Sequence, residues 1–103
     1  MTLPTTANMK TDILLSQAAE VLQVSKEEVL RQGIRALLER QLRDIKAQIF
    51  ELTGRYGVSS VKEMEERYQL GTLEEADSWR DMQRLDHLEY KRDSLQELID
   101  NLE

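Results

Sequence analysis

Eight apolar residues, Leu30, Ile34, Leu38, Leu42, Ile45, Ile49, Leu52 and Tyr56, follow one another at steps of four, four, four, three, four, three and four. This spacing keeps one stripe on one face of a helix, so it predicts a long helix lying along another helix. A second segment of about the same length, 73–102, folds back on the first through Leu85, Leu88, Leu95, Ile99 and Leu102. The expected fold class is all-α: a long antiparallel helical hairpin with a short N-terminal helix, a short bridging helix and room for a short N-terminal strand.

At 103 residues the chain is one domain or less, and a compact domain of that size has a radius of gyration of roughly 13 Å. Two helices of about 30 residues would each run about 45 Å. The expectation is a single elongated domain over 1–103, with association in 1–40 and an acidic hairpin in 41–103. One seam between two helices leaves aliphatics such as Ile13, Leu14, Leu15, Val21 and Leu22 over, which predicts a homo-oligomer of at least two chains. Charged residues at 33% and hydrophobic ones at 40% describe a folded chain rather than a disordered one. The lack of cysteine excludes disulfides and thiolate metal sites and fits a reducing cytoplasm. No apolar run approaches the roughly 20 residues of a membrane span, and no basic start precedes a hydrophobic stretch, so a soluble cytoplasmic protein without a membrane partner is expected.

The net charge of −6 is unevenly spread: residues 1–56 balance at +1 and residues 57–103 at −7. An acidic second half repels nucleic acid and attracts a basic partner, while the first half is neutral enough to approach phosphate. A well-solvated helix surface is the alternative reading of the same charges.

The proline, Pro4, and three threonines place an arm or a short edge strand over 1–9. Helical spacing of Ile13, Leu14, Ala18, Val21 and Leu22 then predicts a helix over 11–23, capped by Thr11 or Asp12. Ser25 with Glu28 forms a capping box opening a helix over 26–55, whose outer face pairs Glu27 with Arg31 and Glu39 with Arg43. Gly54 and Gly57 bracket its end. Ser60 with Glu63 opens a short helix over 61–69, and Thr72 with Glu75 opens the last, over 73–102.

Catalytic chemistry has little to stand on. His87 has no second nitrogen or sulfur ligand near it in the sequence, so no metal site is expected. The acidic groups Glu63, Glu65, Glu66 and Glu74, Glu75, Asp77 lack apolar walls to shift a pKa, and several fall in first helical turns where carboxylates favour the macrodipole. No phosphate loop or nucleophile elbow occurs. The chain is expected to be no enzyme and to need no cofactor. Trp79, with Met82 and Leu85, is either packing for the hairpin corner or an aromatic anchor for a partner. Gly33, inside a helix where glycine costs about 1 kcal/mol, marks either a close crossing at a dimer axis or an incidental surface position.

The segment Leu22-Gln23-Val24-Ser25-Lys26-Glu27-Glu28-Val29-Leu30-Arg31-Gln32-Gly33-Ile34-Arg35-Ala36-Leu37-Leu38 resembles the turn and second helix of ribbon-helix-helix proteins. Arg55-Tyr56-Gly57, Gly71, Trp79 and Leu88-Glu89-Tyr90-Lys91-Arg92 are similar in order and spacing to the helical tail of small prokaryotic antitoxins. The resemblance implies dimerisation through Leu22, Leu30, Gly33, Ile34 and Leu37, and neutralisation of a cognate basic toxin by occlusion through Trp79, Asp81, Met82, Asp86, Glu89 and Tyr90. It also implies operator DNA contacts at Thr2 and Thr6, flanking Pro4. With no Arg or Lys among those positions and an acidic chain, such DNA binding is expected to be weak. A helical homo-oligomeric scaffold without a toxin is the rival expectation.

Overall fold

The computed structural model describes residues 6–102, and within them the chain forms four helices: α1 (Thr6–Leu22), α2 (Lys26–Tyr56), α3 (Val61–Leu70) and α4 (Glu75–Asn101). No strand occurs among the described residues, so the fold is all-α. Two compact units divide the chain, one ending at Leu37 and the other spanning Leu38–Asn101.

In the first unit, α1 begins at Thr6 rather than near Lys10, so residues 6–9 are helical and not an arm or strand. Nothing after Pro4 breaks a helix, and Ala7 and Met9 favour one. Thr11 and Asp12 therefore lie inside the helix rather than at its start. The helix ends at Gln23, which adopts left-handed backbone (φ 57). The Val24 N–H then donates to Ala19 O (3.1 Å) and the Gln23 N–H to Glu20 O (3.2 Å), a Schellman closure. Glutamine does this at a cost of about 1–2 kcal/mol that glycine would avoid. Ser25 caps α2 as expected, its Oγ accepting from the Glu28 N–H at 3.0 Å. The Glu28 carboxylate turns forward instead of back: it accepts from Arg31 (2.7 Å) and Gln32 (2.8 Å). Arg31 thus pairs with Glu28 three residues away, not with Glu27. These bonds, led by Gln32 and then Arg31, hold the Glu28 pKa below its ordinary value.

The second unit contains the core. Leu42, Ile45, Ile49 and Leu52 of α2, Val58 and Val61 of the corner, Met64 of α3, and Leu85, Leu88, Leu95 and Ile99 of α4 form one buried cluster. Leu38, Tyr56, Tyr68, Leu73 and Met82 pack against it, half-buried. Polar pairs fix the direction of the helices: Arg55 meets Asp81 at 2.9 Å, and Gln48, seven residues earlier, meets Arg84, three residues later, at 3.0 Å. As the number falls on α2 it rises on α4, so the two run antiparallel. The stripe read from the sequence therefore splits: from Leu38 to Tyr56 it faces this core, whereas Leu30 and Ile34 are exposed at 50% and 46%.

Polar side chains stitch the corner that joins these helices. Gly57, at φ 63, ends α2, and the Val58 N–H donates back to Thr53 O at 3.0 Å. Gly54 lies within the helix and does not end it. Arg67 of α3 donates to Tyr56 O (3.1 Å) and Gly57 O (2.8 Å), placing a cation on the last carbonyls of α2. Ser60 caps α3 through Glu63 N–H (3.2 Å), while the Glu63 carboxylate accepts from Ser59 N–H (2.8 Å) and Ser59 Oγ (2.6 Å), one residue further out than a capping box requires. Those Ser59 bonds, the side-chain one first, lower the Glu63 pKa. Gly71 closes α3 in left-handed backbone (φ 72). Thr72 does not cap α4: its hydroxyl donates back to Arg67 O at 3.3 Å, and α4 starts at Glu75, two residues later than expected. Ser78, 1% exposed, lies in the core because its hydroxyl donates to Glu74 O at 2.7 Å. Its single proton being spent there, the Tyr68 hydroxyl donates to it at 2.6 Å.

A methyl group built on Gly33 or on Gly54 meets nothing within 4 Å. Both sit in ordinary helical backbone inside α2, so Gly54→Ala raises the unfolding free energy by about 0.5–1 kcal/mol, measured in urea. No gain would mean that the helix around Gly54 is not maintained in solution.

Candidate functional site

Half of the six residues assigned to partner binding are used inside the fold. The Asp81 carboxylate accepts from the Tyr56 hydroxyl and from Arg55 Nη1 (2.9 Å), so it fastens α4 to the end of α2. The Tyr56 bond first, and Arg55 after it, holds the Asp81 pKa below the usual carboxylate value, and the same bond raises the Tyr56 phenol. Glu89 accepts from the Val61 N–H at 3.0 Å and so caps the first turn of α3 from across the corner. Met82 packs against the core. A partner that took these three groups would have to displace them from the fold.

Trp79, Asp86 and Tyr90 are different. Trp79 is 42% exposed and Tyr90 72% exposed, and Asp86 is exposed as well. Trp79 thus lies outside the buried cluster and among the exposed large hydrophobic residues. The three lie on one side of α4, because Glu75, Trp79, Gln83, Asp86, Tyr90, Asp93 and Glu97 follow at steps of four, four, three, four, three and four. Every charged residue in that stripe is acidic. Asp93 is bonded by its neighbour Arg92 at 3.0 Å, while Arg80, Arg84 and Lys91 stand on another flank of the helix. Exposed aromatics among acids are what a basic protein surface would engage, since the rings supply area and the carboxylates orientation.

The residues assigned to self-association are all exposed within the chain: Leu22 at 62%, Leu30 at 50%, Ile34 at 46%, Leu37 at 49%, and Gly33 with open space where a side chain would be. Ile13, Leu14 and Val21 of the same unit are exposed too, Val21 at 80%. Exposed aliphatics at this density are the ordinary mark of an interaction surface. Of the positions assigned to DNA, Thr2 lies outside the described residues, as does Pro4, and Thr6 is the first residue of α1 rather than part of a strand.

Sequence reasoning missed Phe50, which is 79% exposed on α2. The signal was present: position 50 falls one residue off the stripe at Ile49 and so about 100° away from it. His87 is exposed, and no group of three or more His, Cys, Asp or Glu among the described residues is arranged to hold a metal ion. No helix among them is long and apolar enough to cross a membrane.

An all-α chain with a packed antiparallel hairpin and exposed apolar faces is thus defined. Residues 9–103 match the model of the family described as Uncharacterized protein MJ0235 family, and the chain belongs to that family. Neither the curated proteins nor the solved structures give a match to it.

Proposed function

We propose that this protein is a non-enzymatic, cytoplasmic interaction protein of the antitoxin kind, which neutralises a small basic toxin by covering the groups that the toxin uses on phosphate. The observation that carries this reading is the α4 stripe, where Trp79 and Tyr90 stand exposed among Glu75, Asp86, Asp93 and Glu97. The exposure of Leu22, Leu30, Ile34 and Leu37 and the open space at Gly33 favour association of copies, and a dimer would present two such stripes. Operator binding through the N-terminal residues would be weak, because an acidic chain releases few counterions from DNA.

The test is co-expression with the product of the adjacent gene. A small basic protein should co-purify, and the pair should grow where the basic protein alone arrests growth. Tyr90→Ala and Asp86→Lys, both at exposed positions, should weaken the complex by about tenfold or more while thermal unfolding is unchanged, because central aromatic anchors are worth about 1–2 kcal/mol each. These variants are cleaner than truncation after Gly71, which would also remove Leu85, Leu88, Leu95 and Ile99 from the core. A neighbouring protein that neither binds nor harms the cell defeats the toxin reading. A homo-oligomeric scaffold, favoured by the exposed aliphatics of the first unit, would then stand in its place.

A further inference from the structure

Ile45, Ile49 and Leu52 mark the buried side of α2. Arg40, Arg43, Ala47, Phe50 and Gly54 fall on the side turned away from it, with Lys46 at its edge. All six are exposed, and the site that a side chain on Gly54 would fill is open. Glu39, half-buried one turn before Arg43, shares this side, which therefore carries three bases and one acid at one end, an aromatic ring in the middle and a flat spot at the other end. The outer stripe of α4 is its complement: acidic throughout, with rings at Trp79 and Tyr90. Both faces belong to the compact unit Leu38–Asn101. Together the exposed parts of Phe50, Trp79 and Tyr90 amount to about two whole aromatic side chains, roughly 300–500 Å². That is a large share of the apolar surface in an interface of about 800 Å² per partner.

The geometry points to a second copy of this chain as the occupant: the outer face of α2 in one copy docks antiparallel on the outer face of α4 in the next. One register satisfies the whole length, because both helices rise equally per residue. Setting Gly54 opposite Trp79 puts the largest side chain against the flat spot. The same alignment places Phe50 opposite Gln83, Ala47 and the neighbouring Lys46 at Asp86, Arg43 over the Tyr90 ring, and Arg40 at Asp93. Small meets large, base meets acid, and a guanidinium meets an aromatic face. A parallel alignment that matches Lys46 to Asp86 instead sets Arg43 against Gln83 and Trp79 against Glu39, and loses the fit of Trp79 to Gly54. Because the two faces differ, each copy offers one of each and the contact is heterologous, so association continues beyond a pair unless it closes into a ring. The α4 stripe is shared with the toxin site proposed above, so a basic partner and a second copy compete for it. The inference itself needs only the chain alone.

Sedimentation velocity of the full chain tests it. Mass should rise with concentration at low salt and fall back at high salt, as screening of the charged pairs requires. Phe50→Asp spoils only the α2 face and Asp86→Lys only the α4 face, so each alone should weaken this association by about tenfold or more. Mixed in equal amounts, the two should pair again, because each retains the face that the other lost. Circular dichroism of each variant should match the parent, both positions being exposed. A mass that does not change with concentration, a distribution unaffected by both substitutions, or a mixture no heavier than its components overturns the proposal.

Discussion

Leu85→Ala should lower the unfolding free energy by about 2–5 kcal/mol, the range for removing a buried leucine side chain and leaving a cavity. Leu85 is 0% exposed, as is Met64 of α3, and both belong to the cluster that α2, α3 and α4 share. A void there strips contacts from all three helices rather than from one seam. For a unit of this size the midpoint of thermal unfolding should fall by roughly 4–8 °C per kcal/mol. Urea unfolding followed by circular dichroism gives the free energy directly. The comparison that decides is Leu98→Ala, on the same helix but 53% exposed: it should move the midpoint little. Equal losses at the two positions would show that α4 does not pack on α2 and α3 in the way described.

The hairpin was legible in the sequence because burial on one side imposes a period, and the period survives in Leu38, Leu42, Ile45, Ile49 and Leu52 whatever else the chain does. Its caps were legible in part. Ser25 and Ser60 hold the expected N–H groups, since a serine before a helix has few other local partners, but Glu28 and Glu63 choose Arg31 and Ser59, which no spacing rule distinguishes from the backbone of the cap. What the sequence does not carry is contact between distant segments. Asp81 and Glu89 read as surface acids because their partners, Tyr56 and Val61, are 25 and 28 residues away. The same holds for Ser78, whose burial depends on Tyr68 across the α3–α4 turn. Of the six residues expected to meet a partner, Asp81, Met82 and Glu89 are engaged inside the fold, while Trp79, Asp86 and Tyr90 are exposed.

The ladder from Leu30 to Tyr56 also shows how one periodic pattern serves two ends. From Leu38 onward its side chains are covered by the core of their own unit. Before that point Leu30 and Ile34 carry the same chemistry without being covered. If Gly33 lies at a close crossing between copies, Gly33→Ala weakens association. In the isolated chain, where the added methyl meets nothing, it stabilises the helix by about 1 kcal/mol. Stability and mass then move in opposite directions, an outcome that no purely internal role for Gly33 produces.

Asp81→Ala should destabilise the second unit by about 1–3 kcal/mol near neutral pH, the worth of hydrogen bonds made to a charged group. Most of this belongs to the Tyr56 hydroxyl bond, because Arg55 is 49% exposed and water screens its share. The pH dependence follows from the directions of the two shifts. The Asp81 pKa is lowered in the fold, first by Tyr56 and then by Arg55, so its contribution is fully present above the unfolded value of about 3.9 and is lost as pH falls through the lower folded value. The Tyr56 pKa is raised, first by the bond to Asp81, so its contribution is fully present below about 10 and is lost as pH rises through the higher folded value. The stability difference between the parent and Asp81→Ala should therefore hold level between about pH 4 and 10 and shrink on both sides. Tyr56→Phe should reproduce the loss at neutral pH but leave Asp81 with Arg55 alone, so its acid-side decline should be shallower than the parent's. Urea unfolding at a series of pH values measures all three proteins. A difference that stays constant through the acid and alkaline limbs would mean that Asp81 contributes by packing and not through the bond that ties α4 to the end of α2.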